Sequence, residues 1–389
     1  MKNRLWTLLL CTILTCLLPG CWDGVELQKR AVVLMMGIDP SDQDDHGVKV
    51  SLQLARPQSF SRSPQGSTSS REDNTAVITK SGTEVTDALR KIQLSIDRNL
   101  FFGHVRAVVI NQVIAQRGML PVVSPVLQSR ITPRESWLFV SSSPAREVLE
   151  YTPALDAIPS TYFTNYFENR LLLNRPYEVT LGGFHQRLVT PGIQPFAIWI
   201  GRGNDGLSAP RIEGIAAFSA DEFVGGLNTQ QALGWLFIQN QFPKSPLSFQ
   251  CPTKKDGQFV VNVKSVKSTL RMIHLKSNEP QAIVHLRLKG WVEGGACVIE
   301  TNQMELEQLR QQVKNEVKNV VETSIQQCQA MNTDIFGMGR NVYRYSPRDW
   351  HGDNEWDQTF RKVKTTVQVD VQLDFLQAYK KSALPLVRQ

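Results

Sequence analysis

The sequence predicts an α+β fold in more than one domain, with mixed β-sheets flanked by helices and a lipid anchor at the N-terminus. Three observations predict it. Segments that alternate apolar and polar residues, as half-buried strands do, are interleaved with segments of 3.6-residue apolar period, without a regular βαβ rhythm. The 389 residues exceed the usual size of a single core. The chain also opens on an export-type leader that ends at a cysteine. Apolar residues make up 41% and charged residues 20%, which excludes a disordered chain and a multi-span membrane protein. The net charge of +7 is dispersed without a block of like charge, so no nucleic-acid partner is expected.

The leader comes first. Lys2 and Arg4 make a basic start, and Leu5 to Leu18 is uncharged and mostly apolar. As a helix that apolar stretch spans about 21 Å, short of the roughly 30 Å hydrocarbon core, so it reads as a secretory signal and not a permanent span. It ends in Leu18-Pro19-Gly20-Cys21, which looks like a bacterial lipobox with Pro19 at a position usually held by a smaller residue. Residues 1–20 are therefore expected to be removed after Gly20. Cys21 is expected to carry an S-diacylglycerol thioether and an N-acyl chain, and two or more chains anchor stably to a bilayer. Beyond the leader Cys251, Cys297 and Cys328 are widely spaced with no CxxC pair. They are read as buried structural thiols, with neither a disulfide framework nor a zinc site.

Two domains are expected, 21–205 and 206–389, divided at the Gly-, Asn- and Pro-rich stretch 201–210. In the first, Val32 to Ile38 and Val48 to Leu54 alternate on either side of a turn at Asp39-Pro40, which predicts a hairpin. Ser59 to Ser70 is Ser-rich and reads as a loop. Ser81-Gly82-Thr83-Glu84 matches a capping box ahead of a helix carrying Val85, Leu89, Ile92 and Ile96. His104 to Ile110 and Trp137 to Ser141 read as strands. Gln112 to Gly118 and Pro144 to Tyr151 read as short helices. From Pro153 to Pro195 no element can be placed. In the second domain Ile212 to Phe218, Phe259 to Val266 and Ala282 to Leu288 read as strands. A long helix near 302–330, capped by Asn302 with Glu305, carries the stripe Leu306, Leu309, Val313, Val317, Val320, Val321, Ile325 and Cys328. Val363 to Phe375 is the clearest alternating strand.

Few residues suggest chemistry. Gly201-Arg202-Gly203-Asn204-Asp205-Gly206 fits GxGxxG, but Pro210 and a strand-like segment follow where a dinucleotide site needs a helix, so a turn is expected. Asp39, Asp42, Asp44 and Asp45 cluster, but a calcium loop from Asp42 would place His46 and Gln53 where oxygen ligands are required, so a solvated acidic turn is expected. His46, His104, His185, His274, His285 and His351 are scattered, and no HExxH, GxSxG or P-loop occurs. His285 is expected to be exposed. No catalytic, cofactor-binding or metal-binding residue is assigned, and no enzymatic activity is expected.

Cys21-Trp22-Asp23-Gly24-Val25-Glu26-Leu27, then Ala31-Val32-Val33 and Gly37-Ile38-Asp39, resembles the Ger(x)C family, the C subunits of endospore germinant receptors. Gly82 with Asp87-Ala88-Leu89, Gly103-His104, the set Asp334, Phe336, Gly337 and Gly339, and Trp350 extend the resemblance along the chain. It implies a lipoprotein on the outer face of the spore inner membrane, in complex with an A-type membrane subunit and a permease-like B-type subunit, and required for nutrient-triggered germination. It also implies that the two halves subdivide, giving three lobes. It implies no enzyme and no cofactor. The rival readings are a nutrient-binding lipoprotein of a transport system, which would show two similar lobes, and a lipid-anchored hydrolase, for which no nucleophile motif is present.

Overall fold

A computed structural model describes residues 29–56, 74–128, 132–151, 153, 159–168, 179–203, 210–252, 254, 256–277, 279–298 and 303–375, with Trp6. Cys21, the Ser-rich stretch 59–70 and Asn302 lie outside the described residues.

β1 (Arg30–Pro40) and β2 (Val48–Ala55) form the expected antiparallel hairpin, with Met36 opposite Leu52 and Ile38 opposite Val50. β3 (Thr75–Gly82) pairs with β2, and α1 (Val85–Gln93) folds back with Val85, Ala88 and Ile92 buried. The start of α1 corrects the expected capping box. Ser81 is still paired with Lys49 inside the sheet, and Glu84 at the N-cap makes no side-chain cap. Asp87, one turn in, accepts instead from the Thr83 N–H at 3.3 Å. An acid in the first turn also complements the positive end of the helix.

The chain continues through β4 (Asn99–Phe101), β5 (Ala107–Asn111), α2 (Gln112–Gln116), α3 (Leu120–Gln128), β6 (Trp137–Ser141), α4 (Ala145–Glu150), α5 (Pro159–Glu168), α6 (Leu181–Leu188) and β7 (Phe196–Arg202). β4 and β5 pair in parallel with β1, β6 with β5, and β7 with β6. The centre of this sheet therefore does follow helix-linked parallel crossovers, a rhythm the sequence conceals. β5 and β6 are buried at nearly every position, so they are short continuous apolar runs without alternation. β8 (Pro210–Ser219) and β9 (Glu222–Asn228) complete it antiparallel, in the order β3-β2-β1-β5-β6-β7-β8-β9. The 205/206 division lies between β7 and β8, which are hydrogen-bonded neighbours in this one sheet.

α7 (Thr229–Ile238) follows β9 and is capped by a capping box, Asn228 with Gln231. Ala232 and Gly234 to Ile238 are all buried. A helix apolar on all sides must be enclosed, and α7 is: it packs on β8 and β9 of the first sheet and on β11 of the second. The second sheet has the order β10-β11-β12-β13, from β10 (Pro246–Gln250), β11 (Gln258–Ile273), β12 (Gln281–Gly295) and β13 (Lys364–Phe375). β12 and β13 are parallel, with Leu286 opposite Val369. Between them run α8 (Gln303–Ala330), α9 (Met338–Tyr345) and α10 (Asp353–Phe360). The expected stripe of α8 is buried from Leu306 to Cys328, except Val320, which is half-buried, and it packs on β13.

One cysteine expectation is overturned. Cys251, after β10, and Cys297, after β12, form a disulfide with Cα atoms 5.9 Å apart. Spacing along the chain could not reveal the pair, because β11 and β12 form a long hairpin that returns residue 297 beside residue 251. Cys328 is free and buried as expected, and burial pushes its thiol pKa well above the ordinary value.

Candidate functional site

One buried polar centre is Asp334, in the turn between α8 and α9. Its carboxylate accepts from the Gly337 N–H at 2.8 Å, the Gly339 N–H at 2.8 Å and the Trp356 indole N–H at 3.0 Å. Gly337 takes a left-handed conformation (φ 77°), which turns the chain back so that the N–H groups of Gly337 and Gly339 both reach one side chain. At Gly339 a Cβ would press into the indole of Trp356. These are the positions of the Asp-x-Phe-Gly-x-Gly element, so each glycine in it has a geometric reason. Burial pushes the Asp334 carboxyl up to about 6 against the pull of the N–H donors.

Around Asp334 the two halves of the chain are joined. The Gln194 N–H donates to the Asp334 carbonyl at 2.9 Å, and the Arg340 N–H donates to the Gly192 carbonyl at 2.6 Å. The Gly192 N–H donates to Asp353 at 2.7 Å, and Gln194 donates its side-chain amide to Asp357 at 3.3 Å. Thr333 donates its hydroxyl to the Phe218 carbonyl, and Trp235 of α7 donates to the Ile335 carbonyl at 3.1 Å. Arg187 of α6 donates to the same carbonyl at 3.3 Å and lies over the Phe196 ring at 4.4 Å. Burial first, and then the neighbouring Arg340, lowers the Arg187 pKa to about 10.

Asp39 is a second such centre, and here the structure corrects an expectation. It is not part of a solvated acidic turn but 3% exposed. Its carboxylate accepts from the N–H groups of Ala145 (2.6 Å) and Arg146 (2.9 Å) at the start of α4 and from the Asn111 amide (3.1 Å). It thus caps a helix from a distant strand. Asp42 and Asp44 do lie in the exposed turn, where Lys49 and the His46 N–H take them up.

The other sequence candidates are not brought together. Gly201 and Arg202 end β7 opposite Arg211 and Pro210 of β8, so an antiparallel strand and not a helix N-terminus answers the glycines. His285 is half-buried rather than exposed and lies 2.8 Å from Asp370. Among the described residues no group of His, Cys, Asp and Glu is placed to hold a metal ion. The described residues also line concavities. A groove of about 640 Å³ beside β13 and α8 includes Lys267, Arg287, Lys289, Arg310 and Lys314. A pocket of about 260 Å³ includes Trp350, His351 and Trp356. The Asp334 and Asp39 centres carry no local signal in composition or periodicity. Only the short motifs that hold them mark them.

The fold and these centres define a class: a two-sheet α+β body whose buried carboxylates hold its own backbone together across the chain. Family models match nearly all of it. Residues 23–201 match the spore germination protein N-terminal domain, and residues 213–374 match the spore germination B3/GerAC-like C-terminal domain. The chain belongs to this GerAC family of spore germination proteins. It is 23% identical to YfkR of Bacillus subtilis (strain 168), covering 94% of this chain and 95% of that one. It is 22% identical to spore germination protein KC of the same organism, covering 88% of each. The crystal structure of the GerBC protein shares the fold at a TM-score of 0.51 and 14% identity, over 87% of this chain and 96% of that one.

Proposed function

We propose that this protein is a non-enzymatic, lipid-anchored C subunit of a spore germinant receptor. It works with an A-type and a permease-like B-type membrane subunit and is required for nutrient-triggered germination. The observation that carries the reading is the run of both germination domains over residues 23–374, directly behind the lipobox Leu18-Pro19-Gly20-Cys21. Among the described residues no helix is long and apolar enough to cross a membrane, and the reading assigns attachment to the acyl chains on Cys21, on the outer face of the spore inner membrane. The Cys251–Cys297 disulfide supports an exported chain, since such bonds persist in oxidising compartments. The Asp334 and Asp39 carboxylates support a non-catalytic role, because their acceptors are occupied by the protein's own N–H groups.

Two measurements test this. Labelled fatty acid should enter the wild-type protein and not the Cys21→Ala variant. Immunoblots of spore membranes should show less of this protein when the gene for either membrane subunit is deleted, because an unassembled subunit loses the stability that binding contributes. Unchanged abundance, with unchanged germination when this chain is absent, would favour an independent nutrient-binding lipoprotein.

A further inference from the structure

Lys29 and Arg30 stand at the N-terminal end of β1 in the first sheet. The same end gathers other basic residues. Arg30 pairs in register with Asn99, which places Arg98 beside Lys29. The Arg106 N–H donates to the Leu34 carbonyl, and the Arg106 carbonyl accepts from Trp137, so Arg106 stands at the foot of β5 and β6, four residues along β1 from Arg30. Arg134 precedes β6 there, its carbonyl accepting from Gly182 at the start of α6. Arg30 lies over the Phe101 ring at 4.6 Å, and that ring also meets His104. Lys29, Arg106 and Arg134 are exposed, and Arg30 and Arg98 are half-buried. Among the described residues Asp97 and Glu135 lie at the same end, and Asp23 and Glu26 precede Lys29 in the sequence. Among the described residues no carboxylate forms an ion pair with Arg98, Arg106 or Arg134. Leu94, at the C-terminus of α1 on this side, is 74% exposed.

We infer that this basic rim, Lys29, Arg30, Arg98, Arg106 and Arg134 with Leu94, is a membrane-docking surface that rests on anionic phospholipid head groups. The length of chain before it selects the occupant. Only residues 22–28 separate Cys21 from Lys29, so a fully extended connection reaches about 30 Å. An anchor at Cys21 therefore keeps this end of the sheet next to the head groups. Basic residues near an anionic surface each contribute about fivefold in partition, within a Debye length and sensitive to salt. An exposed leucine among them suits the head-group boundary. The orientation rests on the lipid-anchor reading, but the surface chemistry does not, and the two are tested apart.

The test uses the chain from residue 21 onward with Cys21→Ala, so that no acyl chain contributes. It should co-float with phosphatidylglycerol vesicles at low salt, release at high salt, and ignore phosphatidylcholine vesicles. The triple variant Arg98→Glu/Arg106→Glu/Arg134→Glu should lose about a hundredfold or more in vesicle affinity. The control variant Lys267→Glu/Lys289→Glu/Lys314→Glu, in the groove beside β13, should lose much less. Equal melting temperatures for the three proteins certify that each is folded. Binding that is absent, indifferent to lipid charge, or reduced equally by both triple variants would overturn the proposal. Unimpaired vesicle binding by the rim variant, with lost co-purification of a membrane subunit, would overturn it in favour of an acidic protein partner. Failure of fatty acid labelling at Cys21 would remove the anchor while leaving the vesicle result standing.

Discussion

Asp334 is held between two opposing demands, since burial disfavours its charge and three N–H donors require it. Its folded pKa of about 6 lies above the unfolded value of 3.8. Between these values the folded state binds the proton more tightly, so the contribution of Asp334 to stability is fully present below about pH 4 and lost as pH rises through 6. Asp334→Asn removes this titration, while the other carboxylates cancel in the comparison. The stability deficit of the variant, read by urea unfolding, should therefore be about 2 kcal/mol larger near pH 4 than near pH 7. A deficit that grows with pH would show that the N–H donors outweigh burial. Asp39→Ala orphans the Ala145 and Arg146 N–H groups and the Asn111 amide. It should lower stability by about 2–4 kcal/mol, seen as a reduced thermal midpoint. The partners of Asp39 lie 72 to 107 positions away along the chain. Neighbouring Asp42, Asp44 and Asp45 therefore set the local impression of a wet acidic turn, and no window of sequence holds the information that corrects it.

Elements that carry a period were the most legible. The α8 stripe and the β13 alternation are each exposed on one side, so both show in the sequence, and the two pack together. Val317→Asp, at 2% exposure, should bury an unpaired carboxylate and cost upward of about 3 kcal/mol. Lys318→Glu, on the exposed face in a 3.8 Å pair with Glu322, should cost under about 1 kcal/mol. Equal thermal midpoints would show that α8 is not core. α7 is enclosed on all sides, so its apolar run fits a helix and a strand alike and places neither. β5 and β6 do read as strands, and what stayed hidden was their parallel pairing. The disulfide was hidden for a different reason, since it depends on the pairing of β11 with β12. Cys251→Ser/Cys297→Ser reopens a loop spanning 46 positions and should cost about 2–4 kcal/mol in denaturant unfolding. A reductant should lower the wild-type protein to the same midpoint.

At the scale of the whole molecule, the two sheets share one continuous apolar core, and the Asp334 turn fastens them. Gly192 is central to the fastening, with φ 72° and a missing Cβ that would collide with the backbone at Gly339 and Arg340. Gly192→Ala should part that contact, lower the thermal midpoint, and open the junction to limited proteolysis ahead of global unfolding. Cleavage no faster than in wild type would show that the sheets stay joined without it. The position of β1 carries a mechanical consequence. It is an inner strand, with seven register pairs to β2 on one flank and four to β5 on the other. Ladder hydrogen bonds run across the strands, so tension applied ahead of Arg30 and directed along β1 loads both flanks together in shear. An edge strand pulled sideways would peel one bond at a time. Tugged along that axis at its N-terminal end, the body resists with its central ladder and transmits the force into the sheet instead of unravelling from the tether.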